Sequence, residues 1–339
     1  MDKRQKDGGF WLGIDVAKQT FDASLACLDA VPSQWSKLPV SRFSMSMSGV
    51  ADLLAWLQAR VPLGECRGVC LESTGVYSQR LVAMLRTQDL PVVSMVNPAL
   101  PVAFRKSFAL HDKCDRVDAA VLALFGVVHQ PLANCVDTPL YQRLRQLRRL
   151  HEDFTDDIRR WENRLEQCDE PALRRAIQGT LRHLKTKADK VWKQIEQWVQ
   201  DHDELHRDVE LITTIPGIAA KTAIAVLAEA GDLRQWKPNQ LVSYAGLFPK
   251  VHSSGTSVAR KPRLHGGGHK RLRTGLFLPA CPAARHHPQF SQWRLQLLER
   301  GKAKKAVIAA IMRKLLLLIR SVVVHQRPYD PHFKAKIPA

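Results

Sequence analysis

Apolar and polar residues along the first third of the chain alternate in short blocks, which predicts strands and helices in mixed order. Phe10 to Val16, FWLGIDV, predicts a strand that carries an aspartate near its end. Thr20 to Leu25 predicts a second strand after a short turn, and a third lies near Arg42 to Ser44. Ala51 to Leu57 reads as a helix with Leu53, Leu54 and Leu57 on one face. Gly68 to Leu71 is a short apolar run ending at Glu72. A helix, a strand at Val92 to Val96 and another helix carrying DKCDRVDAAVLALFG follow. Three strands and then alternating helices and strands predict a mixed sheet covered by helices, an α/β domain.

The period changes at Leu140. Leu140, Leu144, Leu147, His151, Phe154, Ile158, Trp161, Leu165 and Cys168 step by fours and threes. Beyond Pro171 the same stepping runs through Ile177, Leu181, Leu184, Ala188, Val191, Ile195, Trp198, His202 and Leu205. Two heptad runs broken at a proline predict an antiparallel helical hairpin or paired coiled coil, or two ordinary amphipathic helices on a core. Residues 211–232, LITTIPGIAAKTAIAVLAEAGD, set Pro216-Gly217-Ile218 between two helical patterns. This is a helix-hairpin-helix layout, whose exposed N–H groups at a helix start suit a phosphate; Gly217, Lys221 and Thr222 are its candidate contacts. The usual second glycine is replaced by Ala219. Residues 246–275 hold Gly255 and Gly266 to Gly268 and predict a turn-rich loop before helix resumes near Arg271. Ala306 to Val324 is apolar but interrupted by Arg313, Lys314 and Arg320, so it predicts a buried helix and not a membrane span. The expected division is 1–135, a helical connector at 136–206, and a mainly α domain at 207–335.

Charge changes the picture for the second half. The 339-residue chain carries 51 Lys and Arg against 32 Asp and Glu, a formal +19. Residues 1–130 hold 14 basic and 12 acidic side chains, net +2, so the remainder holds net +17. Such asymmetry points to a polyanionic partner for the C-terminal two thirds. Between Lys250 and Arg273 lie seven Lys or Arg, three His and no acid. Lys250, Arg260, Lys261, Arg263, Lys270, Arg271 and Arg273 are the candidate phosphate contacts. Seven cysteines at irregular spacing, without a CxxC pair, argue against a zinc site or disulfide framework and fit a reducing cytoplasm. The N-terminal MDKRQKDGGF lacks the apolar run of a signal peptide.

Two constellations carry candidate chemistry. Asp15 and Glu72 each lie at the end of a predicted strand, and neighbouring strands are only about 4.8 Å apart. Asp115 and Asp118 are three apart on a predicted helix and share its face. Four converging carboxylates would repel without a cation, and hard oxygen donors suit Mg2+ or Mn2+. Four unrelated surface acids remain the alternative. The second set is Ser253, Ser254, Gly255, Thr256 and Ser257, a hydroxyl-rich stretch among cations, where an oxygen can attack a held phosphate. A polar surface loop is its alternative.

Taken in order, GIDVAKQTFD, LESTGVY, VNPAL, DKCDRVDA, IPGIAAKTA and SYAGLFPKVHSSGTSV resemble one family over nearly the whole chain. It is the DEDD transposase family of bacterial insertion sequences, the IS110 and IS1111 groups, which includes Piv-type DNA invertases. The resemblance implies an RNase H-like, RuvC-like N-terminal domain with its acidic tetrad at Asp15, Glu72, Asp115 and Asp118. It implies a nucleophilic serine at Ser254, with Ser253 and Ser257 as competitors. It also implies a structured non-coding guide RNA, double-stranded donor and target DNA, and homo-oligomers from dimer to tetramer. The family's Ser-Lys-x-Gly stretch is Leu264-His265-Gly266-Gly267-Gly268 here, without the lysine. Three alternatives stay open: an RNA-independent invertase, a resolvase-like nuclease using water, and a non-catalytic nucleic-acid binder.

Overall fold

The structure is a computed structural model that describes residues 9–30, 36–73, 75–88, 90, 93–108, 115–131, 138–254, 258–264 and 267–331, with backbone only at 76, 115, 116 and 250–263. The chain divides into two compact units, 1–134 and 135–339.

The first unit is a five-stranded mixed sheet with helices on both faces. Its elements are β1 (Phe10–Val16), β2 (Thr20–Cys27), β3 (Val40–Ser44), α1 (Met47–Gln58), β4 (Cys66–Glu72), α2 (Val76–Leu85), β5 (Val93–Val96), α3 (Ala99–Ser107) and α4 (Asp115–His129). The strand order is β3-β2-β1-β4-β5. β1 pairs antiparallel with β2 and parallel with β4, which places it at the centre. Side chains alternate across this sheet. Phe10, Leu12 and Ile14 join Phe21, Leu53, Leu57, Leu81 and Leu85 in the core beneath α1 and α2. Trp11, Ala26 and Cys70 point the other way, into a core built largely from Val117 to Val127 of α4. This α/β arrangement agrees with the sequence expectation.

Among the described residues the second unit is helical apart from one hairpin. α5 (Pro139–Glu166) and α6 (Pro171–Gln200) each begin with a proline, whose missing N–H costs nothing at a first helical turn. They run antiparallel, since Trp198 Nε1 donates to Leu140 O at 3.2 Å while Lys185 pairs with Glu162 at 2.9 Å. α7 (Asp203–Thr213), α8 (Ala220–Ala230), α9 (Pro238–Ala245), β6 (Pro249–Ser254), β7 (Val258–Leu264), α10 (Lys270–His286), α11 (Pro288–Glu299) and α12 (Lys304–His325) complete it. α12 is the predicted buried helix, contributing Val307, Ile311, Leu315, Ile319 and Val323 to the core. No helix among the described residues is long and apolar enough to cross a membrane. Arg234 clamps the unit: it pairs with fully buried Asp208 of α7 at 2.6 Å and with Asp232 at 3.1 Å, and Gln326 beyond α12 donates to the same Asp208.

One expectation is corrected. The stretch read as a turn-rich loop contains the antiparallel β6–β7 hairpin, with Lys250 opposite Arg263 and Ser254 opposite Val258. Its glycines serve close approach as well as turning. Gly246 (φ +68°) and Gly268 (φ +90°) pack backbone to backbone, and a Cβ on Gly268 would lie 2.6 Å from Gly246 N. Ladder pairing is a long-range property that turn-rich, polar composition hides.

His287, at the junction of α10 and α11, is fully buried, stacked 4.1 Å from Phe290, and neither ring nitrogen has a hydrogen-bond partner. Burial pushes its pKa below the ordinary histidine value. The folded state therefore holds the ring neutral, and this stability is complete above about pH 6.5 and lost as pH falls through the lowered value. His287→Leu is expected to shrink the drop in melting temperature between pH 7.5 and 5.5, as thermal unfolding at both values would register. An unchanged drop would assign the acid sensitivity elsewhere.

Candidate functional site

The acidic edge of the first unit is positioned by the seating of α4 on β1. A Cβ on Gly13 would collide with the backbone of Ala119 and Ala123, and one on Gly126 would lie 2.6 Å from the Trp11 ring. Trp11 thus meets α4 near residue 126 and Gly13 meets it near 119–123, so the helix runs opposite to β1. Continuing by one pleat, Asp15 comes level with the first turn of α4, where Asp115 and Asp118 stand. On the other side of β1, Ile14 is in register with Leu71, so Asp15 and Glu72 are the next neighbours along two parallel strands. Cys70, two residues before Glu72, belongs to the α4-side core, which puts Glu72 on that face. The Cys70 thiol is pushed up to about 12 by burial and then by the nearby Glu72 carboxylate. It therefore stays a neutral thiol.

Asp118 is held by Arg105 of α3, with Nη1 to Oδ1 at 2.7 Å, and is about a quarter exposed. Asp115 opens α4, and only its backbone is described. Among the described residues no three His, Cys, Asp or Glu side chains are close enough to hold a metal ion. The fold brings Asp15 and Glu72 to one end of one sheet face and carries Asp115 and Asp118 on the first turn of α4, where Arg105 sets positive charge.

Two residues at this edge were missed. Asp22 of β2 lies directly opposite Asp15 and, on its other side, opposite Arg42 of β3. Arg42 grips the Asp22 carboxylate with Nε at 3.1 Å and Nη2 at 2.8 Å. The short turn between β1 and β2, closed by Ala17 N donating to Thr20 O, sets this register. A hairpin reading of FWLGIDVAKQTFD would have found Asp22.

In the second unit Ser254 ends β6 and Val258 begins β7; Gly255, Thr256 and Ser257 lie outside the described residues. Lys250 opposes Arg263 and His252 opposes Arg260, so basic positions face each other along the ribbon; Lys261 lies in β7. Gly217 takes φ +87° in the turn between α7 and α8, while Ala219 is extended at φ −92° and caps α8. A negative φ asks for no glycine, so Ala219 leaves that turn geometry unstrained. Thr222 N closes the first turn of α8 on Ala219 O, and Lys221 Nζ sits 4.9 Å from the Trp192 ring. Lys270 is exposed, Arg271 approaches Glu152 at 3.4 Å, and Arg273 donates to Ala245 O and Gly267 O. Arg273 thereby ties the glycine segment down. His269 caps α10 through Nδ1, stacks on Tyr244 and turns Nε2 to buried Glu229 at 3.4 Å. Burial pushes its pKa down. Arg149, Glu152, Asp156, His269, Lys270 and Arg271 line a cleft of about 510 Å³ of mixed charge.

This layout, an α/β unit with carboxylates at one edge of its sheet and a basic helical unit, matches known proteins along the chain. A family described as a transposase matches residues 12–168, and one described as the transposase IS116/IS110/IS902 family matches residues 209–293. The chain belongs to the IS110 family of transposases and is a DNA recombinase by class. It is 31% identical to the pilin gene-inverting proteins of Moraxella bovis and Moraxella lacunata, over 94% of this chain and 97% of each of theirs. It is 30% identical to the transposase for insertion sequence element IS1111A of Coxiella burnetii, over 37% of this chain and 35% of that one.

Proposed function

We propose that this chain cuts and rejoins DNA strands through a covalent protein–DNA intermediate, using a RuvC-like acidic edge and a serine nucleophile. The observation that carries the reading is the edge itself: Asp15 and Glu72 share one face at one end of the sheet, level with the first turn of α4, which carries Asp115 and Asp118. These hard oxygen donors fit Mg2+ or Mn2+, and the neutral Cys70 thiol offers no competing soft ligand. Asp15, Glu72, Asp115 and Asp118 would hold the cation, which when bound supplies positive charge against a phosphate. Arg105 is the counter-charge of Asp118.

Ser254 Oγ attacks the phosphorus, forming a phosphoserine bond and breaking the bond to one deoxyribose oxygen. That oxygen leaves as a hydroxyl, taking up the proton that the serine gives away. The hydroxyl of another strand reverses the step and frees the serine, so the bond energy is conserved and no ATP is needed. Lys250, Arg260, Lys261, Arg263, Lys270 and Arg271 would bind phosphates, as would the Gly217 turn with Lys221 and Thr222 acting as a helix-hairpin-helix. The net +17 of residues 131–339 supports this surface and has room for a structured guide RNA beside donor and target DNA. Homo-oligomers would supply the several strand ends that an exchange requires.

A second reading is inversion of a DNA segment without an RNA guide. It is favoured by the alignment with the gene-inverting proteins over 97% of their length, against 35% for the IS1111A transposase.

The test uses the full chain, expressed with the flanking DNA of its gene. Co-purified nucleic acid is sequenced, and DNA bearing the element ends is incubated with Mg2+ and run on a denaturing gel. A Mg2+-dependent covalent adduct, lost with EDTA, and a discrete RNA are expected. Recombination that survives RNase would move the chain to the second reading, and cut ends without covalent protein would overturn the serine mechanism in favour of hydrolysis.

A further inference from the structure

We propose that the exposed face of α6 is a docking surface for the phosphate backbone of double-stranded DNA, built from a stripe of cations with a bare glycine among them. It rests on the chain's class as a DNA recombinase and not on the chemistry at Ser254. The two helices of the α5–α6 hairpin are unequally charged. α5 carries seven Lys or Arg against six Asp or Glu, whereas Pro171 to Lys193 of α6 carries seven against Asp189 alone. On α5 the cations pair within their own helix, Arg148 with Glu152, Arg159 with Asp156 and Arg160 with Asp157. On α6 Arg175, Arg182, Lys190 and Lys193 are exposed, and none of them has a carboxylate partner among the described residues. The buried side of α6 is formed by Leu181, Ala188, Val191, Ile195 and Val199. At about 3.6 residues per turn the four cations fall in one narrow band on the opposite side. The band runs straight for about 27 Å at the helical rise. Asp189 lies to the side of it, near His151 of α5.

Two observations separate this stripe from an ordinary solvated face. Its cations are crowded, since Arg182 precedes Lys185 by three residues and Lys187, Lys190 and Lys193 follow one another at the same interval. Like charges one turn apart destabilise a helix. Lys185 is relieved by Glu162 of α5 at 2.9 Å, while Lys190 and Lys193 pair with no carboxylate among the described residues. The second observation is Gly179, which sits between Arg175 and Arg182 on the same face. Glycine is the poorest helix former after proline. A Cβ on Gly179 would meet no atom within 4 Å, so packing does not ask for a glycine there. A missing side chain on an exposed helix lets a bulky partner come close to the backbone. A polyanion answers both observations. A second copy of this chain does not match the charge, because α5 is nearly balanced and residues 1–130 hold 14 basic against 12 acidic side chains. A DNA duplex carries about one charge per 1.7 Å of its axis, so a straight stripe of this length meets several phosphates.

The experiment titrates the full-length chain with a fluorescent DNA duplex that lacks the element ends, over a series of NaCl concentrations. The slope of log affinity against log salt counts the phosphates contacted, at about 0.9 per contact. Arg175→Gln, Arg182→Gln and Lys193→Gln together are expected to reduce that slope by about 2.7 and to weaken binding about a hundredfold at low salt. Arg159→Gln, Arg160→Gln and Arg164→Gln remove the same net charge from α5 and are expected to change the slope by less than one contact. Gly179→Gln is expected to raise the melting temperature and to weaken binding severalfold; on a merely solvated face it would do the first alone. If the α6 triple variant keeps the wild-type slope, or if the α5 variant loses as much, the docking surface is overturned. A loss confined to an RNA duplex of the same length would give the stripe to RNA, and a changed oligomeric mass by light scattering would give it to a second copy; either result overturns the DNA assignment. Should the triple variant not fold, the three single substitutions decide, each expected to take about 0.9 from the slope. A wild type that binds no duplex would undo both this proposal and the basic-surface reading of the second unit.

Discussion

Gly13→Ala is expected to unseat α4 from β1, lower the melting temperature of the first unit by about 10 °C and reduce strand cleavage by about a hundredfold. The added methyl would collide with the backbone of Ala119 and Ala123, not with the movable tip of a side chain. Helix backbone cannot rotate out of the way, so α4 must lift as a body. Overpacking of this kind costs about 3 kcal/mol at the upper end of its usual range, which for a domain of this size gives the stated thermal shift. The loss of activity follows from geometry. Asp118 and Asp115 ride on α4, while Asp15 and Glu72 ride on the sheet, and a misplacement of about 1 Å can cost roughly a hundredfold. Thermal unfolding and Mg2+-dependent cleavage of element-end DNA measure the two effects. A stable, fully active Gly13→Ala would mean that α4 does not sit where it sets the acidic edge.

The companion effect is chemical. Ser254→Ala is expected to remove the covalent protein–DNA adduct entirely and to lower strand exchange by about four powers of ten or more, the scale seen when a nucleophile is deleted. Alanine keeps an extended backbone without strain, so the β6–β7 hairpin should persist and nucleic-acid affinity should change little. A gel-shift titration alongside the denaturing adduct assay separates the two. Ser253→Ala and Ser257→Ala are the controls, and loss of the adduct in either of them alone would move the nucleophile. An adduct that survives Ser254→Ala would sink the assignment.

Much of the fold was legible in the residues. The strand ending in Asp15, the helical face of Leu53 and Leu57, and the long repeats through Leu144 and Val191 are all local periodicities, and each became the element its period predicts. The interruption of the apolar run at Arg313, Lys314 and Arg320 was enough to read α12 as a core helix. The hairpin at Ser254 was not legible, because its strands are short, basic and flanked by glycine. Nothing local separates such a ribbon from a loop. The glycines of residues 246–268 looked like freedom and proved partly to be contact, since only a missing Cβ lets Gly246 and Gly268 touch.

The candidate site divides the same way. Residue type and order alone nominated Asp15, Glu72, Asp115 and Asp118, and charge asymmetry alone nominated the basic half. Only the tertiary structure decided that Asp15 is flanked by Glu72 on one side and Asp22 on the other, that Arg42 neutralises Asp22, and that Arg105 sits on Asp118. The physical reason is that periodicity is written within one segment, where 2.0 or 3.6 residues per repeat fix which side chains share a face. Strand order, register and the approach of a helix to a sheet are properties of pairs of segments far apart in the chain, and they are settled by what packs, what pairs and where a glycine leaves room.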